Sequence, residues 1–580
     1  MNIESKPGIE AKSVREQQTP PVSLRTFWVF VALGSMVVLG LILPFFASVD
    51  GDDASRHLHW IRAFGEVLRS GVLVPQWLPD GFQGFGSPVF YFYPPLPYYI
   101  SSLTAAIFGI ADTPTLFNVT GLFVTLASVG TCYYLLRTIK ASQCNSMVGS
   151  LFYAFAPYRL FELYTKSSFS QHVAFIFIPL IATGLLACLM NKERPYIPNS
   201  LLSISWALLL LSSLPLSIAL ALVIICLSLF LAKDLTSRTI IKVGLSLSLG
   251  TLLTLFHYLP ALSYQRFIHP SRFLTLSAGN WVEGVLHGQY LRFDLHAMLL
   301  FGTHIALVVM WLWWRRKDET RNILFDTAGK IALLFLALEF PFLSNPLWRW
   351  IPPLTFIQFH LRFAIVTVLL IVILYGHPTM KTGRKFARNA IGLWSMAGIF
   401  FSIFILLDVQ VHPHGINPSM DTPEYIPTNR IDPNTAIERI FLPHEHDPYV
   451  QTEHPLKLNE NLHMAAMSPV QRSFDIVLYE KQSITLHQFA WPLWQTYLNG
   501  RALQTTEDSI GRVVLNLPAG INHVTLRLES TSIETTGYWI SALSLVLLIG
   551  IKFIRGRRVT ESKQLPFGKG LTTRLPDIRE

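Results

Sequence analysis

Three carboxylates crowd the segment Asp50-Gly-Asp-Asp53, and His57 follows Asp53 by four residues. In a helix that spacing puts Asp53 and His57 on one face, one turn apart. The helix dipole favours a carboxylate at this end. A carboxylate beside an imidazole can accept or orient the proton of a hydroxyl nucleophile. Its oxygens can equally hold a divalent cation such as Mg or Mn, with Asp52 and Asp53 as ligands. The plainer alternative is an N-cap at a wet helix end. Far along the chain, Gln358, His360 and Arg362 cluster at the start of an apolar run. A guanidinium there can bind a phosphate bidentately, and Lys166 can add charge. The alternative is an arginine that snorkels to an interface. Glu339 lies inside another apolar run, where a carboxylate is costly unless paired. Arg362 or a basic residue of 263–293 is its expected partner. His444-Glu-His446-Asp447 has metal-type residues in a polar loop without helical register, so a solvated loop is the better reading.

The elements that must hold these residues are membrane helices. The chain has 580 residues, of which 51% are hydrophobic and 14% charged. Ordinary soluble domains carry about 25% charged residues, so a soluble multidomain enzyme and a disordered chain are both excluded. The net charge of +10 reflects basic residues beside apolar runs, where they set orientation and do not read nucleic acid. Apolar runs fall at 26–48, 115–136, 145–161, 172–190, 198–213, 215–232, 239–262, 294–314, 329–343, 355–376, 389–408 and 537–554. Each approaches the ~20 residues a spanning helix needs, giving about twelve spans. The short run 96–111 starts among prolines and is placed along the interface. The first run is read as a retained anchor because no convincing cleavage site follows it.

The positive-inside bias puts both termini in the cytoplasm. Residues 1–25 and 555–580 are then basic cytoplasmic tails, and 26–408 a membrane domain with the outer loop 49–114. Residues 537–554 are the last span. Between them, 409–536 carries alternating segments such as Phe474–Tyr479, Arg512–Leu517 and His523–Leu528, the pattern of half-buried strands. Asn499-Gly500 and Ala519-Gly520 are turn signals. The expected fold is a polytopic α-helical membrane protein with an extracytoplasmic antiparallel β-sandwich. Cys132, Cys144, Cys188 and Cys226 lie in or beside apolar runs and suggest no disulfide framework.

The outer loop continues with Pro75-Gln-Trp77, Gly84-Phe-Gly86, Pro88 and Phe90-Tyr-Phe-Tyr-Pro-Pro-Leu-Pro-Tyr-Tyr99. Aromatics with Pro and Gly fit a rigid cover that stacks on a sugar or lies at headgroup depth. Together with Gly51-Asp-Asp53 and His57, this pattern resembles the first outer loop of GT-C-fold glycosyltransferases. It is most similar to the bacterial membrane proteins labelled 6-pyruvoyl-tetrahydropterin synthase-related, a label that implies no pterin chemistry here. It also resembles the membrane proteins that glycosylate lipoteichoic acids. Ala156-Pro-Tyr-Arg-Leu160, Tyr258-Leu-Pro-Ala-Leu262, Phe356–Phe363, Phe489-Ala-Trp-Pro-Leu-Trp494 and Leu498-Asn-Gly500 extend the resemblance over most of the chain.

The resemblance implies a membrane glycosyltransferase that moves a sugar from a polyprenyl-phosphate donor to a surface glycan, lipid or protein acceptor. It implies a bacterial cytoplasmic membrane, with the β domain periplasmic or extracellular. By position it gives the catalytic role to Asp53, with Asp52, His57 and Asp50 next. Arg362, Gln358 and Lys166 are the expected lipid-phosphate ligands, and Trp77, Tyr91, Tyr93 and Glu339 the expected substrate lining. There is one departure. After Pro157-Tyr158 the family often shows an arginine followed five residues later by a glutamate, and Lys166 and Gln171 stand here. The competing readings are a lipid or glycan flippase and a catalytically silent scaffold. A flippase usually carries mid-depth charge and internal repeats, and neither is apparent here.

Overall fold

A computed structural model of the chain describes residues 23–38, 53–164, 166–190, 196–269, parts of 302–316, 323–340, 343, 350–357, 360–376, 425–427, 449–452 and 462–563. Asp50, Asp52, Gln358 and the 444–447 cluster lie outside the described residues, as does most of 263–293.

Helix α1 covers Leu24–Val38, and α2 covers Ala54–Arg69. The latter is amphipathic, burying His57, Leu58, Trp60, Ile61, Phe64 and Val67. Gly71, at φ +96°, closes the turn after it. The aromatic loop then forms the short α3 (Val89–Phe92) and α4 (Leu96–Phe108). At 1.5 Å per residue a 13-residue helix is about 20 Å long, too short to span, and Gly109 ends it in the left-handed region. Helix α5 (Thr113–Thr138) follows directly.

Next come α6 (Gln143–Ala154), α7 (Pro157–Tyr164), α8 (Phe169–Ala174) and α9 (Phe177–Met190). The span expected over 145–161 is therefore broken. The residue before a proline is driven out of the helical region, so α6 stops short of Pro157 and a new helix starts there. Helices α10 (Ser200–Leu210) and α11 (Leu214–Phe230) are joined by the tight turn 211–213. Helices α12 (Ser237–Leu252) and α13 (Leu255–Tyr264) lie on a path bent by 70°. The described helices end with α14 (Ile323–Leu338), α15 (Ala364–Gly376) and α16 (Ser532–Lys563).

Among the described residues three helices are long and apolar enough to cross a membrane, Thr113–Thr138, Phe169–Met190 and Ser532–Ile551. The bent α12–α13 path makes a fourth, and five shorter apolar helices accompany them. Among the described residues a count of about twelve is not reached; the run 389–408 and parts of 26–48 and 294–314 lie outside them. Proline breaks and short helices such as α10 divide runs that look continuous by composition. The bundle core draws on α5, α6, α8, α9, α10, α11, α14 and α15. Small residues let the helices close: a Cβ on Gly184 would stand 2.8 Å from that of Leu202, and one on Gly250 would stand 2.5 Å from the Ser203 carbonyl. Cys132, Cys188 and Cys226 are buried, and Cys144 is exposed.

The β region has two antiparallel sheets, built from β1 (Val450–Thr452), β2 (Leu462–Met467), β3 (Gln471–Leu478), β4 (Gln482–Phe489), β5 (Trp494–Leu498), β6 (Arg501–Leu503), β7 (Thr506–Glu507), β8 (Arg512–Leu517) and β9 (Gly520–Leu528). Their orders are β1-β4-β8-β7 and β2-β3-β9-β5-β6. Alternation buries Ile484, Leu486, Leu515 and Leu517 from one sheet against Phe474, Ile476, Val524 and Leu526 from the other. Asn499 (φ 49°) and Gly500 (φ 80°) make the β5–β6 turn, both left-handed. This core continues without a break into α2 and the aromatic loop 77–98. Phe489 donates its backbone N–H to the Phe85 carbonyl at 2.8 Å, and the His487 ring stacks on Phe85 at 4.0 Å. The sandwich and the aromatic loop are thus one packed unit set against the bundle.

Candidate active site

Asp53 holds the N-cap position of α2 without capping it, since its side chain accepts no hydrogen bond from the helix backbone. Its Oδ1 instead accepts from Arg56 Nη1 at 2.7 Å, with both side chains a little over one-third exposed. The Asp53 backbone N–H donates to the Lys166 carbonyl at 3.1 Å. That bond ties the start of α2 to the loop between α7 and α8.

His57 does share α2 with Asp53, but its ring turns elsewhere. Its Nδ1 shares a hydrogen bond of 2.8 Å with the Tyr98 hydroxyl. Trp60, Tyr93 and Phe169 surround it. Burial lowers its pKa to about 4, against the opposing pull of Asp53. The imidazole is therefore neutral at pH 7, and the carboxylate partner expected for it is Arg56's instead.

Glu162, on α7, received no role from the sequence. It is buried, and its Oε2 accepts from Gln171 Nε2 at 2.8 Å. Burial pushes its pKa up, while Arg362, Ser168 and Lys166 oppose that shift. Gln171, one of the two departures from the resembled pattern, hydrogen-bonds to an acid nine residues earlier. A carboxyl is thus present at this place, though carried by a different residue.

Arg362 follows a 3-10 turn, Pro352–Ile357, and donates from Nη1 to the Ile357 carbonyl at 2.8 Å. The Tyr93 hydroxyl accepts from Ser170 Oγ at 3.0 Å. Burial raises its pKa to about 12, and Asp53, Arg362 and Arg56 all act on it electrostatically. Asp53 and Arg362 thus act on Tyr93, and Arg362 and Lys166 on Glu162, brought together by the start of α2, by α7 and the loop after it, and by the 3-10 turn His360–Phe363.

The other expected lining residues sit elsewhere. Trp77 is 1% exposed and packs on Trp494 and Trp491. Tyr91 is also buried, against Trp491 and Tyr264. Both belong to the seam between the aromatic loop and the sandwich. Glu339 is fully buried, and its pairing with Arg362 is replaced: Thr367 Oγ1 donates to Oε1 at 2.5 Å, and His304 Nδ1 lies 3.1 Å from Oε2. Short, nearby hydrogen-bonding groups satisfy a buried carboxylate at less cost than a long guanidinium held by its own turn.

Among the described residues no group of three or more His, Cys, Asp or Glu side chains is placed to hold a metal ion. The Arg56 guanidinium occupies an oxygen of Asp53, the one described carboxylate of the expected pair.

No family model matches the sequence, and no curated protein is matched as a relative. Solved structures with a partly similar path include the arabinofuranosyltransferase AftD from Mycobacteria (TM-score 0.41, 15% identity, 68% of this chain and 27% of that one). Another is the oligosaccharyltransferase of Archaeoglobus fulgidus in its apo form (TM-score 0.38, 12% identity, 67% of this chain and 56% of that one). The chain thus spans about a quarter of the first and just over half of the second.

Proposed function

We propose that the protein is a membrane glycosyltransferase that takes its sugar from a polyprenyl phosphate. The acceptor hydroxyl gives its proton to Asp53 and attacks the anomeric carbon. The bond from that carbon to the phosphate oxygen breaks, and polyprenyl phosphate leaves. Arg362 and Lys166 stabilise the charge that develops on the leaving phosphate. Arg56 holds the Asp53 carboxylate in place, and Glu162 positions Gln171 and Arg362.

One observation carries this reading. The Asp53 carboxylate and the Arg362 guanidinium both act on one buried tyrosine, Tyr93, and the Asp53 backbone N–H is bound to the carbonyl of Lys166. The outer loop's resemblance to GT-C enzymes supports it, and in that family the donors are lipid-linked sugars. Under this reading the active end faces the outside of a bacterial cytoplasmic membrane, and the acceptor is a surface glycan, lipid or protein.

The test is donor consumption by the purified protein in nanodiscs, offered a panel of polyprenyl-phosphate-linked sugars with a cell-envelope glycan extract. The expected result is acceptor-dependent release of free polyprenyl phosphate. Donor lipid that crosses vesicle bilayers intact, with no release, would replace this reading with a flippase.

A further inference from the structure

The sandwich opens along one side, where β6 and β7 are each one edge strand of their sheets. A cavity of about 550 Å³ lies there, lined by Trp491, Trp494, Gln495, Gln504, Thr505 and Glu507 among others. We infer that this groove binds a neutral oligosaccharide, the acceptor glycan of the transfer reaction. That last identification rests on the function proposed above.

Four observations point to a sugar. The lining combines two tryptophans with amides, hydroxyls and one carboxylate. Indole faces pack on the C–H faces of a pyranose, and side-chain amides and carboxylates pair with its hydroxyls. Gln495, Gln504, Thr505 and Glu507 are exposed, so their polar atoms are available without rearrangement of the core. Among the described residues no Lys or Arg lines the cavity, and Glu507 is the one charged residue there. That charge selects against phosphate, sulfate and uronate groups. The volume falls within the ~300–1,000 Å³ of ordinary ligand sites.

A peptide added as an extra strand fits less well. These edge strands are three residues (β6) and two residues (β7) long, which leaves little ladder to extend.

The groove wall is also joined to the candidate active site. Trp491 meets Phe92, which stacks on Tyr425 at 6.1 Å. Tyr425 meets Trp60, and Trp60 meets Tyr93 at 4.8 Å. These rings are packed core, so the groove wall and the Tyr93–Asp53 end belong to one rigid unit.

The experiment is calorimetric titration of the full chain in nanodiscs with maltotetraose, cellotetraose, mannotetraose and xylotetraose. Tetragalacturonate serves as the anionic comparison, and a tetra-alanine peptide as the strand comparison. The expected result is binding of at least one neutral tetrasaccharide, weakened at least tenfold in a Gln504→Ala/Glu507→Ala double variant. Both side chains are exposed, so the fold survives the change. A Tyr479→Ser variant, altered at an exposed site on another turn, should bind as the wild type does. Binding of none of the four, a preference for tetragalacturonate or the peptide, or undiminished binding by the double variant would overturn the inference. Binding without transfer from any donor would count against the transferase reading and leave the groove standing. Transfer with an unchanged acceptor KM in the double variant would count against the groove alone.

Discussion

Burial of His57 among Trp60, Tyr93, Tyr98 and Phe169 decides its chemistry. A histidine that titrates near 6.5 when unfolded and about 4 when folded binds fewer protons in the native state between those values. Stability then rises with pH across that window. The contribution is complete above pH 6.5 and is lost as pH falls towards 4, by roughly 3 kcal/mol in all. Thermal unfolding of the full chain from pH 7 to 4 should show this loss, and a His57→Gln variant should show a correspondingly shallower fall. Equal slopes would mean that His57 is hydrated and charged in the folded protein. The sequence placed Asp53 and His57 one turn apart, and that spacing is real. What it could not convey was which way each ring and carboxylate turns. Arg56, three residues on, reaches Asp53 first, and Tyr98, forty-one residues on, takes the imidazole. Glu162 escaped notice for a related reason. Phe161-Glu162-Leu163 sits at the end of an apolar run, and its hydrogen-bonding partner Gln171 becomes a neighbour only after the chain turns between α7 and α8.

At the scale of elements, the aromatic loop is a rigid part and its glycines are specific. Gly86 has φ +87°, and a Cβ there would stand 2.2 Å from the Trp77 ring. Gly86→Ala therefore combines left-handed strain with a clash in a filled core, and should cost at least about 2 kcal/mol. The melting temperature of the purified protein should fall accordingly, and an unchanged value would show that Trp77 moves aside freely. The strands were legible because alternation has a period of two and the turns carry Asn-Gly or Gly. Segments 512–517 and 523–528 appear as β8 and the last part of β9. The spans were less legible. Composition marks a run as apolar but does not show that Pro157 divides one into α6 and α7, or that α10 stops after 11 residues. The partner of Glu339 was illegible because His304 and Thr367 come from two other apolar runs, where a lone histidine or threonine carries no pairing signal.

At the scale of the whole molecule, one core joins the sandwich to α2 and the aromatic loop. Tyr264 and Thr531 hydroxyls meet at 2.5 Å where the sandwich passes into α16, and Ser541 Oγ accepts from the Phe256 backbone N–H at 2.9 Å. The last helix is thereby fixed to α13, and the sandwich has little freedom to swing away from the bundle end that carries Asp53. A groove in the sandwich and an acid in the first loop can then act on one acceptor across a fixed distance. The direct test of this account is single-turnover transfer from a polyprenyl-phosphate-linked sugar, with donor affinity measured in parallel, for the wild type and Asp53→Asn. The account predicts a loss of at least about 100-fold in rate, the scale of a lost general base, with donor affinity within threefold of the wild type. An Asp53→Asn protein that transfers sugar at the wild-type rate would contradict it.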